Sequence, residues 1–180
     1  MNILAVSGST RRGSLNTRLA LLVPALRPHD EVSVVNDLNR LPFYDADLEA
    51  TGVARAVASL RAAVTVADSV VVVTPEYNGT VPGLLGNAVD WLSRPPRRSV
   101  LRGKSVLVLS ASPTAYGGAR AAEHLRSVLA RIGAAVRPGG LAVAAAHERL
   151  GPAGPDPQLV AELSDLLAET LDPRPLAMPA

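Results

Sequence analysis

The sequence has no cysteine. That removes a disulfide framework, a thiol nucleophile and any thiolate metal site. Histidine is scarce as well. His29, His124 and His147 lie far apart along the chain, which argues against a histidine metal centre, and no metal is expected. Aromatic residues make up 3%. So few rings leave little to stack on exposed bases, no nucleic-acid-binding motif occurs, and nucleic acid is not expected as a partner. The apolar runs fall far short of the roughly 20 residues of a membrane span. The opening run "NILAV" (2–6) lacks the basic flank and cleavage site of a signal peptide. The expectation is a soluble cytoplasmic protein with no membrane partner.

Acidic residues are missing from two stretches. None precedes Asp30, where Arg11, Arg12, Arg18 and Arg27 stand. None lies between Asp90 and Glu123, where Arg94, Arg97, Arg98, Arg102, Lys104 and Arg120 stand. The formal net charge is only +2, so the charge signal lies in this distribution. Two acid-free segments can converge on an anionic ligand. Each of these arginines is equally at home as a solvated surface residue.

What the chain does have is 180 residues, 48% of them hydrophobic, enough for a full core. Apolar runs alternate with amphipathic patterns. The runs are 3–6, 31–36, 69–74, 105–110 and a weaker "LAVAAA" at 141–146. Three are apolar at nearly every position, as strands buried on both faces of a parallel sheet are. Between them lie five helical faces. These are Leu15, Leu19, Leu22 and Leu26; Val53, Val57, Leu60 and Val64; a broad stripe from Val81 to Leu92; Leu125 to Ile132; and Leu159 to Leu167. Five β-α repeats predict a three-layer, doubly wound α/β sandwich around a five-stranded parallel sheet. A single domain over 1–171 is expected, with 172–180 a loose tail. Gly133 is placed to end the fourth of these helices, and "RPGG" (137–140) to break the chain before the last strand.

Ligands of such sheets bind outside the carboxyl ends of the strands. Three loops fall there. "SGSTRRGSLN" (7–16) follows the first strand and enters a helix. Its glycines have the spacing of a triphosphate loop, but the Lys that reaches the outer phosphates is missing. Ser9, Arg11, Ser14 and Asn16 suit one terminal phosphate monoester at a helix start; Ser14 also reads as a plain helix N-cap. The second loop follows "SVVVVT". Pro75 and Gly79 set an extended turn whose backbone amides, with Tyr77, can border a flat heterocycle. Pro82 is expected in the first turn of the next helix. Asp90 and Trp91 further along read as structural. The third loop, "SASPTAYGGAR" (110–120), carries Ser112, Gly117 and Gly118 and can wall the far side of a ring.

These loops resemble the NADPH-dependent FMN reductase family. The family's first loop has the form G-S-x-R-x-x-S-x-N, matched by Gly8, Ser9, Arg11, Ser14 and Asn16. Its second has P-E-Y-N-x-[ST]-x-P-G-x-L-K-N-A-[IV]-D-W, matched from Pro75 to Trp91 except that Gly86 replaces Lys. Thr114 stands where the third loop often has Gly. The segment 36–49 also resembles the family, and the similarity spans about residues 2 to 147. The resemblance implies a flavodoxin-like fold with strand order 2-1-3-4-5. It implies FMN held by Ser9, Arg11, Ser14, Leu15 and Asn16 at the phosphate, with Pro75, Glu76, Tyr77 and Asn78 along the isoalloxazine. Ser112, Gly117 and Gly118 would complete the site. It further implies an NAD(P)H oxidoreductase using NADPH or NADH, passing hydride to FMN and then electrons to a small acceptor in a ping-pong cycle. Candidate acceptors are a quinone, azo compound, free flavin or metal oxyanion. No protein residue is expected to be catalytic, because flavin N5 is the reactive centre. A homodimer or homotetramer, joined near the wide apolar helix after the second loop, is implied too. Two alternatives stay open. One is a flavodoxin-type FMN carrier without direct NAD(P)H reactivity, although such carriers tend to be acidic and rich in ring-flanking aromatics. The other is a flavin-free relative acting as a binding subunit.

Overall fold

The computed structural model describes residues 1–171, so the expected loose tail at 172–180 lies outside the described residues. Four long parallel strands and two short ones build the sheet. The strands β1 (Asn2–Ser7), β2 (Glu31–Val35), β3 (Ser69–Thr74) and β4 (Ser105–Ala111) are followed by two short pieces, β5 (Ala135–Val136) and β6 (Ala142–Val143). The order is β2-β1-β3-β4-β5, with β6 also on β4. This is the order the resemblance implied.

Side-chain alternation divides the core in two. Leu4 and Val6 of β1, Val70 and Val72 of β3, and Val106 and Val108 of β4 face one layer. There they meet α3 (Arg55–Val66), α4 (Gly83–Ser93) and α5 (Ala119–Arg131). Ile3, Ala5, Val71, Val73, Leu107 and Leu109 face the other. There they meet α1 (Leu15–Leu26), the short α6 (Ala146–Arg149) and α7 (Pro157–Leu171). Every residue of β3 is buried. That explains its unbroken apolar run, since each Val side chain removed from water contributes about 1.5–3 kcal/mol on either face.

The fifth strand differs from the expected 141–146. It is split, because Pro138 has no N–H and Gly139 and Gly140 take positive φ of 78° and 132°. Val136 pairs with Val106, the chain loops out, and Ala142 rejoins opposite Ser110. In the gap the guanidinium Nη2 of Arg126, from α5, donates to the carbonyl of Val108 at 3.4 Å. A side chain there takes the place of the missing strand residue. Two further expectations shift. Pro82 is the residue before α4 instead of lying in its first turn, and Val53 precedes α3 while packing on the same core. Gly133 closes α5 as expected, with φ 88°.

The segment after β2 carries a 3-10 turn, Leu38–Arg40, and a one-and-a-half-turn helix, α2 (Ala46–Thr51), that periodicity did not reveal. It is fastened to α4. Asn87 accepts from the Tyr44 N–H at 2.7 Å and donates to the Pro42 carbonyl at 2.9 Å. The Trp91 indole N–H donates to the same carbonyl at 2.8 Å, and its ring meets Tyr44 edge-on. Trp91 is thus structural. The wide apolar arc of α4 is largely spent on this core, leaving Phe43, 84% exposed, and Leu48 as the outward apolar residues beside it.

Candidate functional site

Strand order reverses between β1 and β3, and a crevice opens at their carboxyl ends. The loop after β1 is shaped by hydroxyls. Ser7 Oγ at the strand end is 2.8 Å from Thr17 Oγ1 and donates to the Ser9 carbonyl at 3.2 Å. Thr17 Oγ1 donates to that carbonyl too. The Ser14 N–H closes a turn onto Arg11, and Ser14 Oγ accepts from the Thr17 N–H at 3.4 Å, so Ser14 caps α1. The first-turn amides of Leu15 and Asn16 have no acceptor among the described residues, which leaves an anion site at the helix start. Ser7 and Thr17 were missed from sequence. A Ser ending a buried strand is the one hint, and nothing local marks Thr17.

Gly8 brings the second loop against the first. Its N–H donates to the Val73 carbonyl at 2.8 Å, and a Cβ there would lie 2.9 Å from Leu85 and 3.2 Å from Pro75. The second loop is a tight hairpin turn instead of the extended one expected. Asn78 and Gly79 both have positive φ, 55° and 74°, and Tyr77 and Thr80 exchange both backbone hydrogen bonds. Asn-Gly is the sequence favoured for that turn. It uses the Tyr77 N–H, so Glu76 and Asn78 supply the backbone donors left among the residues 75–78. Glu76 accepts from the Ala121 N–H at 3.2 Å, in the first turn of α5, and Thr80 Oγ1 is 2.7 Å from His124 Nδ1. Both contacts hold the turn against α5.

The third loop is joined to the first by Asn16. Its amide nitrogen donates to the Ala111 carbonyl and its oxygen accepts from the Ala111 N–H, both at 3.0 Å and buried. Ser112 Oγ accepts from the Thr114 N–H. Thr114 also receives the Gly117 and Ala145 N–H groups on its carbonyl. Its side chain therefore lies within a turn that the strand end already fixes.

One shallow cleft of about 100 Å³ results. Of the residues expected to bind, it gathers Ser9, Arg11, Ser14, Leu15, Asn16, Pro75, Glu76, Tyr77 and Ser112, with Ala111 and Pro113. Asn78, Gly117 and Gly118 are not on its walls. Gly117 packs where a Cβ would strike the Ala142 backbone, and Gly118 begins α5 over Ser110. Asn16 lines the cleft, but its side chain is spent on Ala111. Its contribution to an anion is its backbone N–H. The residues present fit a phosphomonoester attached to a flat ring: free helix-start amides, two hydroxyls and a guanidinium at one end, and Pro75, Tyr77 and Pro113 at the other. Among the described residues no cluster of His, Cys, Asp or Glu is grouped to hold a metal, and no helix is long and apolar enough to cross a membrane.

Comparison with known proteins agrees with this geometry. The model of the family NADPH-dependent FMN reductase matches residues 1–148. A quinone reductase of Escherichia coli K12 is 41% identical over 138 residues, covering 76% of this chain and 73% of that protein. A 2-hydroxy-1,4-benzoquinone reductase of a Burkholderia species is 42% identical over 132 residues, covering 72% and 70%. Among solved structures, FerB, a flavoenzyme NAD(P)H:(acceptor) oxidoreductase from Paracoccus denitrificans, superposes with a TM-score of 0.83 at 27% identity, covering 95% of both chains.

Proposed function

The chain belongs to the NADPH-dependent FMN reductase family, and on that premise we propose that residues 1–171 form one FMN-binding domain of an NAD(P)H oxidoreductase serving a small acceptor such as a quinone. The observation that carries the reading is the meeting of all three loops at one cleft, with free amides of Leu15 and Asn16 at its phosphate end. FMN held there would supply the redox chemistry, hydride acceptance from the nicotinamide and electron delivery to the acceptor in a ping-pong cycle.

The protein's own part is placement. Leu15 and Asn16 amides, with Ser9, Ser14 and Arg11, hold the phosphate. Pro75 to Tyr77 and Ser112 would border the ring, and the backbone amide of Glu76 would be a donor toward charge that develops on it. The cleft is shallow, so a flavin held there would be within reach of donor and acceptor in turn. No side chain needs to act as nucleophile or base. Self-association as a homodimer or homotetramer is part of the proposal, supported by the exposed Phe43 and Leu48 beside α4. So is a place in the cytoplasm, where nicotinamide donors are abundant.

Anaerobic mixing of the FMN-loaded protein with NADPH or NADH tests the reading. The flavin absorbance should bleach and return on adding a quinone. Flavin that stays oxidised with both donors, yet is reduced by a partner protein, would make the chain an electron carrier.

A further inference from the structure

A separate cavity, of about 630 Å³, opens at the carboxyl end of β2 and shares no residue with the flavin cleft. It lies between the 37–41 segment and α3. Leu38, Leu41 and Leu60 form its floor, and all three are buried. Its rim is polar, with Asp37 and Arg40 from the segment and Arg55 and Ser59 from α3. The walls are fixed from both ends. Val35, at the end of β2, pairs with Val6 of β1. Just past Leu41, the Pro42 carbonyl accepts from Asn87 and from Trp91, both on α4. A preformed hollow of this size, apolar below and edged by a few polar groups, has the build of a small-molecule site.

The charges on the rim select the ligand. Arg40 is paired with the Asp37 carboxylate at 3.3 Å, so these two offset each other. The Arg55 guanidinium has no ion pair or hydrogen bond among the described residues. One positive charge is left over. Ser59 follows Arg55 by four residues on α3, so its hydroxyl shares that face of the helix. We infer that this cavity is an accessory site for a small organic monoanion, an apolar body bearing one carboxylate. The body lies on the leucine floor, and the carboxylate meets the Arg55 fork and the Ser59 hydroxyl. A guanidinium and a carboxylate match in two parallel hydrogen bonds. A neutral molecule leaves the Arg55 charge unanswered, and a second negative charge meets Asp37 on the same rim. The site goes beyond the reductase reading and does not depend on it. Because it shares no wall with the flavin cleft, it fills while FMN is bound.

2-Naphthoate tests the inference, with 2-naphthamide as the neutral probe of the same shape. Each is titrated by calorimetry into the FMN-loaded protein while the flavin absorbance is followed. The naphthoate should bind at least about tenfold more tightly, as charge-assisted hydrogen bonds imply, and leave the flavin spectrum unchanged. Arg55→Gln, at an exposed position, removes the charge and should abolish that preference without altering flavin content or Tm. Asp37→Asn, also exposed, should act in the opposite direction and tighten naphthoate severalfold while the amide binds as before. Equal affinity of the two probes in the unaltered protein would overturn the inference. So would naphthoate binding that survives Arg55→Gln, that ignores Asp37→Asn, or that shifts the flavin spectrum, since the ligand would then sit elsewhere. Failure of both nicotinamide donors to bleach the flavin would instead overturn the reductase reading, and the probe titration involves no turnover.

Discussion

Replacing Asn16 by Ala separates positioning from ligand binding. Asn16 is 4% exposed, and its side chain makes two hydrogen bonds of 3.0 Å to the backbone of Ala111, itself 3% exposed. Removing the amide leaves a backbone N–H and C=O without partners in a dry site. At roughly 1–3 kcal/mol for each unsatisfied group, with a low total because the small gap can relax, the loss is about 2–4 kcal/mol. For a chain of this size that lowers Tm by roughly 5–15 °C. The same change parts the first loop from the third, so FMN affinity falls in parallel. Thermal melts of the flavin-free protein, read beside fluorescence titrations with FMN, measure both. An Asn16→Ala protein that melts like the parent but has lost FMN would refute the reasoning. Its side chain would then be a phosphate ligand and not a tie between loops.

Two other changes probe the frame around the site. Gly86 lies inside α4 with open space around a built Cβ, so Gly86→Ala should stabilise the chain by about 0.5–1 kcal/mol in urea unfolding; a loss would show that another subunit covers that position. The Asp156 carboxyl is held below the usual aspartate range, first by the Arg149 guanidinium at 3.0 Å and then by the Gln158 N–H. A lowered folded value means that its stabilisation is present above the ordinary carboxylate range and is lost as pH falls through that lowered value. The parent should therefore melt above Asp156→Asn at neutral pH, and the two should converge in strong acid; a gap that is independent of pH would contradict this.

The layered sheet was legible because burial on both faces leaves a strong trace. "SVVVVT" has no polar position to spare, and every one of its residues is buried. The fifth strand was legible only in outline. A two-residue strand has no period, and the partner that Val108 gains in the gap comes from Arg126, a charged side chain on the preceding helix that no strand pattern announces. Within the site, Ser9, Arg11 and Ser14 could be read because hydroxyls, Gly and Arg crowd one strand end. The part played by Asn16 could not, since its partner Ala111 is distant in sequence and contributes only backbone. Glu76 is similar. Its carboxylate meets the first turn of α5, a contact that no local pattern announces. Gly117 and Gly118 read as a ring wall because glycines often mark close approach to a ligand. Here the close approach is to Ala142 and Ser110.

The proposed reductase depends above all on the first loop as the seat of the FMN phosphate. Fluorescence titration of FMN into Arg11→Ala/Ser14→Ala, beside its thermal melt, tests that most directly. The expected result is a fall in affinity of about 100-fold or more, from the loss of charge-assisted hydrogen bonds, with stability lowered by only the roughly 1 kcal/mol of a lost helix cap. Unchanged FMN affinity in that double variant would contradict it.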